Sequence, residues 1–298
     1  MPRNKPDFFI IGAPKCGTTT LYSWLKQHPG IFMPESKEPH YFAQNLSDRY
    51  CRIRSEESYL DLFKDAQARQ ICGEASVLYG FYPQSIQEIL DFNPKAKFIF
   101  MLRHPIDMII SYHGQLLVNL EEDRKDFEVA WYLQDKRQKG QNIPPLSKDP
   151  QLLHYSQIGA LGRHLNNIKN LVPHDQLLTI LLDDMGADPQ VEYLKVLNFL
   201  SFDTMCQIDF RRENEASAVR YIWLQRFIFS NNKILKILKS VIKLILPKKI
   251  RLSLNKTKRK KRSLNNNLHK DMLKQYEGDI SILEVHFQKP LKSSYKEV

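Results

Sequence analysis

Four cysteines in 298 residues, at positions 16, 51, 72 and 206, are too few and too scattered to staple a small secreted fold or to build a zinc site. They read as the reduced thiols of a cytoplasmic protein. Glycine is also sparse, at 11 residues, and 16 prolines fall without a period, which excludes collagen-like and low-complexity architectures. No long apolar run opens the chain. Phe8 to Ile11 spans four residues, too short for the core of a signal peptide or for a membrane span.

Acidic residues are missing from one stretch only. Between Arg226 and Arg262 the chain holds 14 Lys and Arg and no Asp or Glu. Removing those positive charges from the net +11 leaves the rest of the chain slightly acidic. A near-neutral globule bearing one basic segment is therefore expected, and not a uniformly basic nucleic-acid binder.

Hydrophobic residues at 42% and charged residues at 26% are ordinary for a globular chain. The expectation is a single domain over residues 1–298, with the basic segment at about 226–262 as its one compositional departure. Apolar runs alternate with helical patterns. Strands are predicted over Asp7 to Gly12, Gln70 to Ser76, Lys97 to Arg103 and Gln176 to Leu182. Helices are predicted over Thr18 to Gln27, Pro83 to Asp91, Pro105 to about Leu117, Leu152 to Leu171 and Pro189 to Leu200. Strands separated by helices of this length imply right-handed crossovers, and so an α/β fold: a P-loop-like parallel sheet with helices on both faces. The polar, Pro-rich stretch Lys139 to Gln151 reads as a long surface loop beside the site.

The first strand runs directly into Gly12-Ala-Pro-Lys15-Cys16-Gly17-Thr18-Thr19-Thr20, and a helix follows. A Gly-bounded turn between strand and helix presents free backbone N–H groups and the positive end of the helix dipole, which is an anion site. Its spacing matches the nucleotide loop G-x-x-x-x-G-K-[ST] up to the second glycine, but no Lys follows that glycine. The lysine stands two positions before it, at Lys15. A second element is Leu102-Arg103-His104-Pro105, with Ser111 eight residues beyond the arginine. Arg103 ends the strongest strand, at the edge where open α/β sheets bind ligands, and a guanidinium fork with a hydroxyl two helical turns on suits a second phosphate.

Together these residues resemble the PAPS-dependent sulfotransferases, the family that includes the heparan sulfate and bacterial enzymes, where PAPS is 3'-phosphoadenosine 5'-phosphosulfate. The resemblance rests on FIIGAPKCGTTTLYSWLKQHP, KEPHYF at Lys37 to Phe42, GEAS at Gly73 to Ser76 and FMLRHPIDMIISYH, and it continues in YSQIGALGRHLNNIKNLVPHDQLLTI and LKQYEGDISILE. It implies PAPS as co-substrate, no metal, and an acceptor that is a glycan, a glycolipid or another small alcohol or amine. It further implies that Lys15 neutralises the departing 5'-phosphate, and that Cys16, Gly17, Thr18, Thr19 and Thr20 cradle that phosphate through backbone amides and hydroxyls. Arg103 and Ser111 would bind the 3'-phosphate. The acceptor must lose a proton, and the resemblance points to Glu38 as the base, with His40 as the alternative because an unperturbed imidazole titrates near ~6.5. One departure is plain. Where the Golgi enzymes read E-K-[ST]-P, this chain reads Glu74-Ala75-Ser76-Val77, without the lysine and closer to the G-E-x-S of bacterial relatives.

Weaker signals accompany these. Cys16, beside a helix N-terminus, is expected to have a lowered pKa. His154-Tyr155 and Asn214 to Ser217 near Arg220 resemble loops that close over the nucleotide, and Trp24, Trp131 and Trp223 read as core. Lys233 to Leu246 reads as a helix with one lysine stripe and a wide apolar arc, which either packs on the domain or docks on anionic membrane at the inner face. The rival readings are a P-loop nucleotide kinase and a membrane- or nucleic-acid-binding protein acting through the basic segment. The oligomeric state leaves no mark in the sequence.

Overall fold

The computed structural model describes residues 5–202, 206–211 and 264–295, together with the backbone of 217–219 and 256–258. The predicted helix at Lys233 to Leu246, Arg220, Trp223, Asn214 to Ala216 and most of the basic segment lie outside the described residues.

Five parallel strands form one sheet in the order β2-β3-β1-β4-β5. They are β1 (Phe8–Gly12), β2 (Ile31–Phe32), β3 (Ile71–Ala75), β4 (Lys97–Leu102) and β5 (Leu177–Leu181). β1 is central because its apolar run has no polar face: every residue from Phe8 to Gly12 is buried, as both faces of a covered parallel strand must be. Phe8 pairs with Gly73 on one side and Lys97 on the other. The chain leaves β1 toward β2 and leaves β4 toward β5, so right-handed crossovers place the helices of the two halves on opposite faces. The loops after β1 and β4 thus diverge at a topological switch point, where a crevice opens at the strands' carboxyl ends.

Helices α1 (Thr18–Leu25) and α4 (Pro105–Val118) start at that crevice. Between β2 and β4 lie α2 (Glu56–Leu60) and α3 (Pro83–Phe92), and beyond α4 come α5 (Phe127–Tyr132) and α6 (Gln134–Gln138). Pro at the first position opens α3 and α4, where its missing N–H costs nothing. The four predicted strands and most predicted helices are present within a residue or two. Trp24 and Trp131 are core residues, as expected.

The continuous helix expected over Leu152 to Leu171 is instead broken into α7 (Tyr155–Ile158) and α8 (Leu161–Leu171). The C-terminal helix explains the break. After α9 (Leu182–Ala187) and α10 (Pro189–Phe199), α11 (Asn266–Phe287) packs against α8. The Tyr276 hydroxyl donates to the Tyr155 carbonyl at 2.7 Å, and the Asp279 carboxylate accepts the Arg163 backbone N–H at 2.8 Å. The second bond caps α8 from another element, so no local signal marks its start. The backbone of Ser217–Val219 (β6) pairs antiparallel with Lys256–Lys258 (β7) as a separate ribbon. No helix among the described residues is long and apolar enough to cross a membrane.

Candidate functional site

The turn after β1 requires glycine at both ends. Gly12 has φ 136°, and a Cβ there would lie 2.6 Å from the Val77 carbonyl oxygen. Gly17 has φ 87°, a left-handed conformation that other residues rarely adopt, and a Cβ there would also press on the Leu182 side-chain methyl at 2.7 Å. Gly17 caps α1 without offering a side-chain acceptor, so the first-turn amides of Gly17, Thr18 and Thr19 face the crevice. Thr20 differs from expectation. Its N–H donates to the Gly17 carbonyl at 2.9 Å and is already committed to the helix. Lys15, at φ 65°, donates to the Gln115 Oε1 of α4 at 3.4 Å. Thr19 accepts a hydrogen bond from Lys37 Nζ at 2.8 Å.

Cys16 reverses its expected chemistry. Its side chain is fully buried, and burial pushes the thiol up to about 12 against the smaller pull of Arg103 and Lys15. A helix N-terminus lowers a thiol pKa only where the thiolate also keeps some solvation. Cys16 therefore contributes backbone to the turn and is no nucleophile.

Arg103 follows β4 directly and points along the same crevice wall as Ser111, two turns into α4. One guanidinium nitrogen donates to Asp107 Oδ2 at 3.3 Å, while the buried Nε meets no acceptor among the described residues. Asp107 is shared with the irregular segment after the last helix, accepting from the Ser293 hydroxyl at 2.8 Å and the Ser294 N–H at 3.0 Å. The arginine thus keeps donors to spare for an anion. Helix α9, absent from the sequence reading, adds Asp183 to this wall. Burial, Asp107 and Asp184 raise the Asp183 carboxyl against the opposing pull of Arg103 and Lys289.

Across the crevice, residues 38–42 lie against the end of β3. Glu38 and His40 both take left-handed backbone conformations, at φ 60° and 50°. Burial works to raise the Glu38 carboxyl, but Lys37, His40 and Lys15 outweigh it and hold it below the ordinary value, so it is ionised at neutral pH. Lys37 Nζ lies 3.0 Å from Glu38 Oε1 while also donating to Thr19, and so bridges this loop to α1. Lys37 stood within the KEPHYF motif, but nothing in the sequence singled it out, because Thr19 becomes its neighbour only by folding. His40 is placed differently. Its ring is 1% exposed, its Nδ1 lies 3.1 Å from the Glu38 carbonyl, and burial pushes it down to about 4 despite the neighbouring Glu38. The ring stays behind the loop and does not line the cavity, whereas Glu38 does.

One cavity of about 1030 Å³ joins both sides. Lys15, Gly17, Thr18, Thr19, Thr20, Arg103 and Ser111 form its donor half, and Glu38, Tyr50, Tyr112, Gln115 and Asn119 form the other. Lys15 sits at the seam, close enough to Glu38 to lower its pKa. The long Pro-rich loop is fastened near its end, where Asp149 accepts the Ser47 N–H at 2.8 Å, and none of residues 139–151 lines the cavity.

Comparison with known proteins identifies the family and the fold. The sulfotransferase domain family matches residues 5–279. The chain is 34% identical over 254 residues to carbohydrate sulfotransferase 15 of Mus musculus, covering 68% of this chain and 45% of that protein. It is 26% identical over 198 residues to heparan sulfate glucosamine 3-O-sulfotransferase 6 of Mus musculus, covering 66% of this chain and 53% of that one. The chain spans about half the length of the curated relatives it matches. A sulfotransferase crystal structure from Alicyclobacillus acidocaldarius shares the fold, with a TM-score of 0.70 at 23% identity over 96% of this chain and 97% of that one.

Proposed function

The chain belongs to the sulfotransferase domain family, and from that premise we propose that it moves a sulfuryl group from PAPS to a hydroxyl of a glycan acceptor. The observation that carries this reading is the convergence of Lys15, Arg103, Ser111 and Glu38 on one cavity from three separate segments: the turn after β1, the β4–α4 junction and the loop at 38–42. The glycan is supported by the names of the relatives, which act on carbohydrate and heparan sulfate.

The residues present fit PAPS on their own geometry. A helix N-terminus without a side-chain cap and a lysine face one end of the donor half, and an arginine whose buried Nε–H meets no acceptor among the described residues faces the other. These are donors for two separated phosphates, as PAPS carries and ATP does not. PAPS supplies an activated sulfuryl group on a good leaving group. The rest is the protein's own work, which is positioning and charge stabilisation, as in phosphoryl transfer. Glu38, ionised at neutral pH, takes the acceptor's hydroxyl proton as the new S–O bond forms. The S–O bond to the 5'-phosphate breaks in the same step, and Lys15 with the first-turn amides receives the charge left on that phosphate. Arg103 and Ser111 fix the 3'-phosphate so that the line of attack holds.

Titration with adenosine 3',5'-bisphosphate and with ATP, both without magnesium, tests the donor. Tighter binding of the bisphosphate is expected, and preference for ATP would return the chain to the kinase reading. Transfer of labelled sulfate from PAPS across a panel of glycans tests the acceptor.

A further inference from the structure

Behind Glu38 lies a carboxyl that the reaction does not touch. Glu74, near the end of β3, is completely buried. Its Oε2 accepts two hydroxyls, from Tyr59 of α2 at 2.8 Å and from Tyr79 at 3.1 Å. The same Tyr79 oxygen accepts the Phe42 N–H at 3.2 Å. Next along the strand end, the Ala75 carbonyl accepts the Glu38 N–H at 3.0 Å and the Ser76 hydroxyl accepts the His40 N–H at 3.0 Å. Alternate amides of the loop, at 38, 40 and 42, are therefore each tied to the segment that Glu74 begins. Two of those three residues hold positive φ, a conformation that non-glycine residues keep only where the surroundings over-determine it.

A tyrosine hydroxyl has one proton to give. Because Tyr79 gives its proton to Glu74, its lone pairs are left to accept from Phe42. We propose that Glu74 is a positioning residue for Glu38: by fixing the direction of the Tyr79 hydroxyl it locks the 38–42 loop in the turn that aims the Glu38 carboxylate into the cavity. The proposal rests on the reading of Glu38 as the base. The groups facing Glu74 are Ser76 and Tyr79 beyond β3, Tyr59 from α2 and Glu38 from the loop. Burial pushes the Glu74 carboxyl up to about 7, the three hydroxyls oppose that rise and the Glu38 charge adds to it.

Tyr79→Phe removes the hydroxyl and keeps the ring, so folding is retained. The expected result is a roughly tenfold fall in kcat, the scale of a slightly misplaced catalytic group, with affinity for adenosine 3',5'-bisphosphate unchanged. Glu74→Leu should fall as far, and Glu74→Gln, whose amide oxygen still accepts both hydroxyls, should recover most of that loss. A Tyr79→Phe enzyme with the parent kcat, or losses that merely follow the fraction folded, would overturn the proposal. Hydrogen exchange at the Phe42 amide gives a readout that needs no turnover. Faster exchange in folded Tyr79→Phe supports the lock, and unchanged exchange overturns it even if no acceptor is ever found. Absence of transfer by the parent protein with that faster exchange would instead count against the sulfotransfer reading alone.

Discussion

The donor half of the cavity hangs from β1 and β4, strands buried from end to end apart from Lys97, whereas the Glu38 side of the other half hangs from a loop tied to the end of β3 and the segment after it by single hydrogen bonds at alternate residues. The donor half reuses groups the fold must produce anyway: a helix N-terminus, a glycine turn and a strand end at the switch point. The acceptor half is held in a conformation its own residues disfavour, and so depends on partners far along the chain. A rigid half suits a donor that is always the same molecule. A half whose base sits on a loop is where relatives of one fold can differ in acceptor.

Variants should separate the halves by what they change. Glu38→Gln keeps the shape and removes the proton acceptor, and should lower kcat by ~10²–10⁴ with donor affinity unchanged. If Glu38→Gln turns over like the parent, the acceptor half has been given the wrong base. Lys15→Ala, at the seam, should lower kcat by ~10²–10³, the scale seen when one pre-aimed charge is lost from a developing anion. Turnover within a few-fold of the parent would remove Lys15 from the reaction.

Arg103→Ala belongs wholly to the donor half. It should weaken adenosine 3',5'-bisphosphate binding by about 10- to 100-fold, since a hydrogen bond to a charged group contributes ~1.5–3 kcal/mol. Calorimetric titration measures this directly, and an unchanged Kd would break the assignment of Arg103 to the 3'-phosphate.

Lys37→Met has the smallest effect and sharpens the comparison most. Lys37 is the chief charge holding Glu38 below its ordinary value, so the acid limb of the kcat–pH profile should move to higher pH in the variant. The sign follows from linkage. A carboxyl with a depressed folded pKa contributes stability that is present above its unfolded value and lost as pH falls through the folded one. Lys37→Met should therefore also flatten the acid-side loss of stability. A half-buried pair of this kind contributes ~0.2–1 kcal/mol, so kcat at neutral pH should change by less than about fivefold. An acid limb that does not move would mean that Lys37 serves Thr19 and the donor half alone.

Much of this protein was determined by local sequence. The buried strands announce themselves by continuous apolar runs, the phosphate turn by glycines at 12 and 17 around Lys15, and the second anion wall by Arg103 and Ser111 at a strand-to-helix junction. Each of these signals is contiguous, because backbone geometry and periodicity are local properties. Tertiary structure decided the rest. Burial raised the Cys16 thiol to about 12 where its place beside a helix N-terminus led one to expect a lowered pKa, and drove His40 down to about 4 behind the loop. It brought Lys37 against Thr19, placed Asp183 on the donor wall, and split the helix over Leu152 to Leu171 by hydrogen bonds from α11, more than a hundred residues away. Desolvation and cross-chain hydrogen bonding depend on what folding packs around a group, and no spacing along the chain encodes that.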